Sequence, residues 1–198
     1  MAHHIYQTEA FVVGTLPRSE ADKSILFFTR ELGMIRAVAK GVRLGKSKLS
    51  GHLQDYTYGT FAFVKGRDVW RITDASALPV LIRNTKADKV RYETYVKILM
   101  LLKRMLRGEE SHPVLFDLVK SGLTYLNDVP TLTQDEALAL ECLVIIRVLH
   151  ALGYVGESAS TKGFTDTHEF SHMLLQELLK NRSSIIKTIN LGLRESHL

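Results

Sequence analysis

The segment Tyr56–Ala77, YTYGTFAFVKGRDVWRITDASA, decides the fold of the first half of the chain. Two runs rich in β-branched and aromatic residues, Tyr56–Val64 and Val69–Ala77, flank a short stretch that contains Gly66 and Asp68. Runs of this composition, separated by Gly and Asp, are typical of β-strands joined by turns. The segment therefore predicts two consecutive strands.

Three similar runs precede this segment: Ile5–Leu16, Ser24–Arg30 and Met34–Val42. Five strands in about 75 residues fit a small closed barrel of the oligonucleotide-binding type, the OB-fold, which holds single strands with one strand face and its loops. Five aromatic side chains are candidate stacking platforms for bases: Tyr56, Tyr58, Phe61, Phe63 and Trp70. Phe61 and Phe63 share one face of a strand, which favours the core for both, whereas Trp70 fits either place.

The stretch Met34–Leu53, MIRAVAKGVRLGKSKLSGHL, carries five cations and no acidic residue. These cations, which we call the basic ribbon, are Arg36, Lys40, Arg43, Lys46 and Lys48. The stretch begins as a strand and breaks into a loop at Gly41, Gly45 and Gly51. Lys and Arg neutralise phosphates and release counterions, and glycine permits close approach of the backbone, so the ribbon suits a nucleic acid. A solvated hairpin loop is the alternative.

Composition narrows the class of protein. The chain has 198 residues, 45% hydrophobic and 24% charged, with a net charge of +5. Residues 1–80 hold 11 Lys and Arg against 7 Asp and Glu, so most of the positive excess lies in the first half. The sequence has no apolar run long enough for a membrane span and no signal peptide, so we expect a cytosolic protein. Cys142 is the only cysteine, which excludes disulfides and cysteine-based zinc sites within one chain.

The second half changes to helical periodicity. The predicted helices are Lys86–Arg107, a helix from Pro113 through Tyr125, a largely apolar helix from the capping box at Thr133–Glu136 to Gly153, a helix capped by Asp166 after the linker Ser158–Gly163, and Ser184–Arg194. The apolar helix should be the centre of a bundle. The fold class is therefore α+β, with an OB-fold barrel over residues 1–80 and an all-helical domain over residues 81–198.

One motif points to an enzyme. His168–His172 reads HEFSH, a match to the pattern in which two histidines one helical turn apart bind zinc and a glutamate activates water. Asp166, as the helix cap, would put His168 in a fraying first turn. We therefore expect neither a metal nor catalysis at His168, Glu169 and His172, and no cofactor.

Four segments carry a resemblance to a known family. They are TEAFVV at Thr8–Val13, ADKSILFFTRELGMIRAVAKGVR at Ala21–Arg43, KSKLSGHLQDYTYG at Lys46–Gly59, and RITDA at Arg71–Ala75. Their order and spacing resemble the N-terminal domain of the bacterial RecO recombination mediator family. RVLHALGYVGE at Arg147–Glu157 is similar to the signature of the family's helical domain. LRESHL at Leu193–Leu198 is similar to the usual ending of family members.

The resemblance implies a cytoplasmic, nucleoid-associated protein of DNA repair that acts without catalysis. Such proteins bind single- and double-stranded DNA, anneal complementary strands held by the single-strand-binding protein, and work with RecR to load RecA. The basic ribbon suits the DNA contacts, and Lys23, Arg67 and Arg71 extend the same face, with either Arg71 or Trp70 pointing inward. Many family members also carry a four-cysteine zinc module after the LGY signature, which this sequence lacks.

The resemblance also implies that the acidic, apolar tail of the single-strand-binding protein contacts the helical domain. From charge and hydrophobicity we place this contact on the first long helix, at Lys97, Leu99, Leu102, Lys103, Arg104 and Arg107. Two alternatives to a DNA-annealing mediator remain open: an adaptor whose barrel mainly binds RecR or the single-strand-binding protein, and a zinc hydrolase.

Overall fold

The computed structural model describes residues 4–44, 46–78, 81, 85, 88–158 and 161–196. Four predicted features therefore lie partly outside the described residues: the loop glycine Gly45, the helix start at Lys86, the linker positions Ala159 and Ser160, and the family ending at His197 and Leu198. The chain forms two compact units, Met1–Ile82 with Leu106–Pro113, and Arg83–Met105 with Val114–Leu198. The predicted domain division after residue 80 stays a prediction.

The strands of the first unit follow the predicted pattern. Among the described residues they are β1 Ile5–Pro17, β2 Lys23–Thr29, β3 Gly33–Ala39, β4 Tyr58–Lys65 and β5 Trp70–Ala77. They close into a barrel in the order β1-β2-β3-β5-β4. Neighbouring strands are antiparallel except β3 and β5, which pair in parallel only at Ala37 with Trp70 and Val38 with Arg71. This arrangement is the predicted OB-fold barrel.

The barrel interior is filled by alternate side chains of all five strands. Phe27, Phe61 and Phe63 are fully buried, with the Phe27 ring centroid 5.0 Å from that of Phe61 and 5.1 Å from that of Phe63. Trp70 belongs to the same core and is 5% exposed. Because side chains of a strand alternate between faces, the inward position of Trp70 turns Arg71 outward.

The segment Leu106–Pro113 belongs to the barrel unit. The backbone N–H of Met34 donates a hydrogen bond to the carbonyl of Gly108 at 2.9 Å. The Glu109 carboxylate accepts hydrogen bonds from Lys65 Nζ at 2.8 Å and from Trp70 Nε1 at 2.9 Å. These two bonds, the Lys65 bond first, lower the pKa of Glu109. The segment is thereby fixed beside β5.

The second unit is helical. Its helices, as described, are α1 Lys89–Met105, α2 Pro113–Asp128, α3 Gln134–Ala151, α4 Lys162–Thr165, α5 His172–Lys180 and α6 Arg182–Glu195. α3 packs against α1, α4, α5 and α6, which confirms it as the centre of the bundle. Its predicted capping box is present, with Thr133 Oγ1 accepting from the Glu136 N–H at 3.2 Å. Within the described ranges, no helix is long and apolar enough to cross a membrane.

The helix predicted to start at Asp166 begins later. Asp166 instead ends the short helix α4, and the N-cap of α5 is Ser171, whose hydroxyl accepts a hydrogen bond from the Leu174 N–H at 3.3 Å. Both residues are good N-cap types, so sequence alone does not decide between them. The predicted start at Asp166 is therefore wrong.

A buried arginine holds the segment between α4 and α5. Arg147 of α3 is 2% exposed. Its Nε donates to the carbonyl of Phe164 at 2.7 Å, its Nη2 to the carbonyl of Glu169 at 3.0 Å, and its guanidinium carbon lies 4.6 Å from the centroid of the Phe170 ring. Burial lowers the pKa of Arg147 to about 10. Contacts from this one side chain thus hold the segment between α4 and α5 in place. The segment contains no cysteine that could bind zinc.

Candidate nucleic-acid interface

The predicted DNA-binding cations all lie in the barrel unit. They are Lys23, Arg36, Lys40, Arg43, Lys46, Lys48, Arg67 and Arg71. Lys23 is half-buried and the other seven are exposed. In the described part of the chain, none of them forms an ion pair with a carboxylate. Carboxylates of the described residues therefore leave the charge of these cations unneutralised.

Strand pairing brings cations of β3 and β5 together. Ile35, Ala37 and Ala39 point into the core, so Arg36 and the following Lys40 lie on the outer face. Val38 pairs with Arg71 across the short parallel ladder, which places Arg71 beside β3. The inward tryptophan and outward arginine settle the alternative that the sequence left open at positions 70 and 71.

A groove of about 230 Å³ lies at this junction. We call it the Arg18 groove; its lining residues are Arg18, Asp22, Val38, Lys40, Val69 and Arg71. Arg18 is exposed and was not among the predicted site residues. It follows Pro17, which pairs with Lys23 in the structure, and no local sequence pattern indicates this placement. Sequence reasoning missed it because Arg18 stands outside the basic ribbon.

The loop after β3 is tied to the turn between β1 and β2. Gly41 has φ +64°, and its N–H donates to Asp22 Oδ1 at 2.8 Å. The Arg43 N–H donates to the carbonyl of Ala21 at 3.0 Å, and Arg43 Nη1 to that of Ser19 at 2.6 Å. Part of the hydrogen-bonding capacity of Arg43 is therefore used inside the protein, whereas the neighbouring Lys46 and Lys48 are exposed.

Most of the predicted stacking platforms are not available at the surface. Phe61 and Phe63 are fully buried, and Trp70 and Tyr58 are each 5% exposed. The Tyr58 hydroxyl donates to Glu9 Oε1 at 2.5 Å. Tyr56 is half-buried and has φ +65°. The core position favoured for Phe61 and Phe63 is therefore confirmed, and the open alternative at Trp70 is decided for the core. The role of base platform is wrong for Tyr58, because its ring is covered.

The surface predicted on the first long helix is only partly exposed. Leu99 and Leu102 are fully buried, so their assignment as partner contacts is wrong. Lys97 Nζ lies 3.6 Å from Glu141 Oε2. Lys103 and Arg104 are exposed in the last turn of α1, where they also complement the helix dipole. Arg107, also exposed, lies beyond the end of α1 in the barrel unit.

The HEFSH motif does not adopt the geometry of a zinc-binding helix. His168 and Glu169 precede α5, and His172 is its first residue. His172 Nδ1 lies 2.9 Å from Glu136 Oε1. Hydrogen bonds from Thr133, the backbone N–H first, lower the pKa of Glu136. No group of three potential metal ligands occurs among the residues described.

Comparison with known proteins gives a consistent assignment. A family model described as Recombination protein O N terminal matches residues 1–107. The DNA repair protein RecO of Frankia casuarinae is 34% identical over 155 residues, which is 76% of this chain and 60% of that protein. The DNA repair protein RecO of Halalkalibacterium halodurans is 28% identical over 123 residues, or 62% of this chain and 48% of that protein.

A further relative, the DNA repair protein RecO of Nocardioides sp., is 33% identical over 109 residues, which cover 55% of this chain and 44% of that protein. The chain thus spans about half the length of these relatives. The family match covers more than half of the chain and includes all five strands of the barrel. The chain belongs to the RecO family.

Proposed function

We propose that this protein is a recombination mediator of DNA repair that binds single- and double-stranded DNA and anneals complementary strands. The observation that carries the proposal is the set of exposed cations on the OB-fold barrel, without ion-pair partners among the described residues. Phosphate contacts from such side chains are independent of sequence and weaken steeply with salt. A protein that must recognise any DNA needs this kind of contact.

The character of the surface also fits release of the product. Base stacking on aromatic rings contributes about 1–3 kcal/mol per base in single-strand-binding proteins. Here four of the five aromatic candidates are buried. Binding through phosphates without strong stacking allows two strands to be held, paired and then released, which is what annealing requires.

We further propose partners on the basis of family membership. In this proposal the protein works at the nucleoid with RecR and with the tail of the single-strand-binding protein, and it thereby helps to load RecA. For the acidic, apolar tail we retain the exposed cations Lys103 and Arg104, because Leu99 and Leu102 are covered. The barrel cations remain the proposed DNA contacts.

Annealing of two complementary labelled oligonucleotides, followed by energy transfer, tests the proposal. The variant Lys46→Glu/Lys48→Glu should lose annealing, since two exposed cations of the basic ribbon become repulsive to phosphate. We choose these lysines over Arg43 because the Arg43 side chain also donates a hydrogen bond to the carbonyl of Ser19.

The matched control is Lys162→Glu/Lys187→Glu, which makes the same charge change at exposed positions of the helical unit. It should anneal like the wild type. Equal annealing by wild type and Lys46→Glu/Lys48→Glu would contradict the proposed site, and no annealing by the wild type would contradict the proposed activity.

A further inference from the structure

We infer that the Arg18 groove is a subsite for one nucleotide of a single-stranded nucleic acid, with its phosphate held by Arg18, Lys40 and Arg71. The inference rests on the proposed function and adds a site that discriminates single strands from duplexes. It assigns a binding role to Arg18, which stands outside the basic ribbon.

Three separate elements bring the cations together. Arg18 follows β1, Lys40 follows β3, and Arg71 lies on β5. The turn after β1 is drawn to the end of β3 by the Gly41-to-Asp22 and Arg43-to-Ser19 hydrogen bonds. The Val38–Arg71 pairing brings β5 alongside. The three cations are therefore brought together by the β3–β5 pairing and by hydrogen bonds that hold the loops.

The charge of the groove favours one phosphate group. Three cations line it together with a single carboxylate, that of Asp22. Asp22 Oδ1 accepts the Gly41 N–H, and within the described residues neither Arg18, Lys40 nor Arg71 forms an ion pair with Asp22. A phosphodiester placed among the three cations would be attracted by each of them. The guanidinium of an arginine can also donate two parallel hydrogen bonds to phosphate oxygens.

The floor of the groove favours a single strand. It is apolar, with Val38 5% and Val69 36% exposed. A flexible single strand can turn a sugar or base onto this floor while its phosphate stays between the cations. In a duplex the bases are stacked inside the helix, so the recess stays unfilled and the backbone places no phosphate among the three cations.

Fluorescence anisotropy of the full chain with a labelled oligothymidine and with a labelled duplex of equal length tests the inference. Arg18→Gln should weaken single-strand binding about fivefold to tenfold, the loss of one charged hydrogen-bonding contact, and leave duplex binding nearly unchanged. The single-strand salt slope should fall by about 0.7, the contribution of one phosphate.

Lys46→Gln is the matched control, because it removes one positive charge from an exposed loop position of the same barrel. It should weaken both ligands by similar factors and leave their affinity ratio unchanged.

The Arg18 side chain makes no hydrogen bond to any described residue, so Arg18→Gln should fold normally. The groove assignment is overturned if wild type binds both ligands and Arg18→Gln either changes neither affinity or lowers both equally. Absence of oligothymidine binding by the wild type would overturn the proposed function together with the subsite. The two failures are thus distinguished by the wild-type titration alone.

Discussion

Two arginines of the barrel and two of the helical bundle have opposite surroundings. Arg36 and Arg71 of the barrel are exposed and form no ion pair with the described residues. Arg91 and Arg147 of the bundle are 6% and 2% exposed, and they donate to backbone carbonyls such as those of Val129 and Phe164. The same residue type therefore stabilises the protein in one unit and is available to an anionic partner in the other.

The largest effect on stability is expected for Arg147→Ala. The substitution leaves the carbonyls of Phe164 and Glu169 without their donor and removes the contact with the Phe170 ring. We expect the free energy of unfolding to fall by about 3 kcal/mol. Urea denaturation measures this loss. A loss below about 0.5 kcal/mol, typical of a surface position, would break the comparison.

A smaller effect on the free energy of unfolding is expected for Glu136→Gln. This substitution tests a carboxylate whose hydrogen bonds are made within the bundle. Glu136 accepts hydrogen bonds from Thr133 and pairs with His172, and these contacts lower its pKa. Because the folded-state pKa lies below that of the unfolded chain, the stabilisation is present above the ordinary glutamate pKa and is lost as pH falls through the folded value. At neutral pH the variant should be about 1–2 kcal/mol less stable than wild type.

Denaturation at a series of pH values checks the sign of the Glu136 effect. The difference between wild type and Glu136→Gln should shrink as pH falls below about 5. A difference that stays the same to about pH 3 would show that the carboxylate charge contributes nothing.

Arg36→Ala is the counterpart of Arg147→Ala in the barrel and should have the smallest effect on stability. Because the side chain is exposed, the free energy of unfolding should change by less than about 0.5 kcal/mol. Single-strand affinity should fall, with a salt slope shallower by about 0.7. The comparison would be reversed if Arg147→Ala weakened DNA binding under conditions where the variant is folded and Arg36→Ala did not.

Strands β4 and β5 were predictable because their buried faces show directly in the sequence. The aromatic runs at Phe61–Phe63 and Trp70–Ile72 alternate as a half-buried strand must. The position of Arg18 was not predictable, because it depends on the closure of β3 against β5 and on hydrogen bonds between two loops. Local patterns carry no information on which loops meet.

The bundle shows the same limit at two positions. The spacing of Leu99 and Leu102 fits both a core and a partner surface. In the structure both side chains are fully buried and belong to the core. Arg147 stands in an apolar helix where its charge suggests exposure, yet it is buried and donates through Nε and Nη2 to the carbonyls of Phe164 and Glu169. Such tertiary hydrogen bonds have no signature in a single sequence.

The central claim is that the exposed cations of the barrel, which form no ion pair with the described residues, contact DNA. The most direct measurement is the affinity for a labelled single-stranded oligonucleotide across a salt series, for wild type, Lys46→Glu/Lys48→Glu and Lys162→Glu/Lys187→Glu. We predict a linear fall of log affinity with log salt concentration, shallower for the first variant and unchanged for the second. Equal slopes for all three proteins, or wild-type binding that does not respond to salt, would contradict the account.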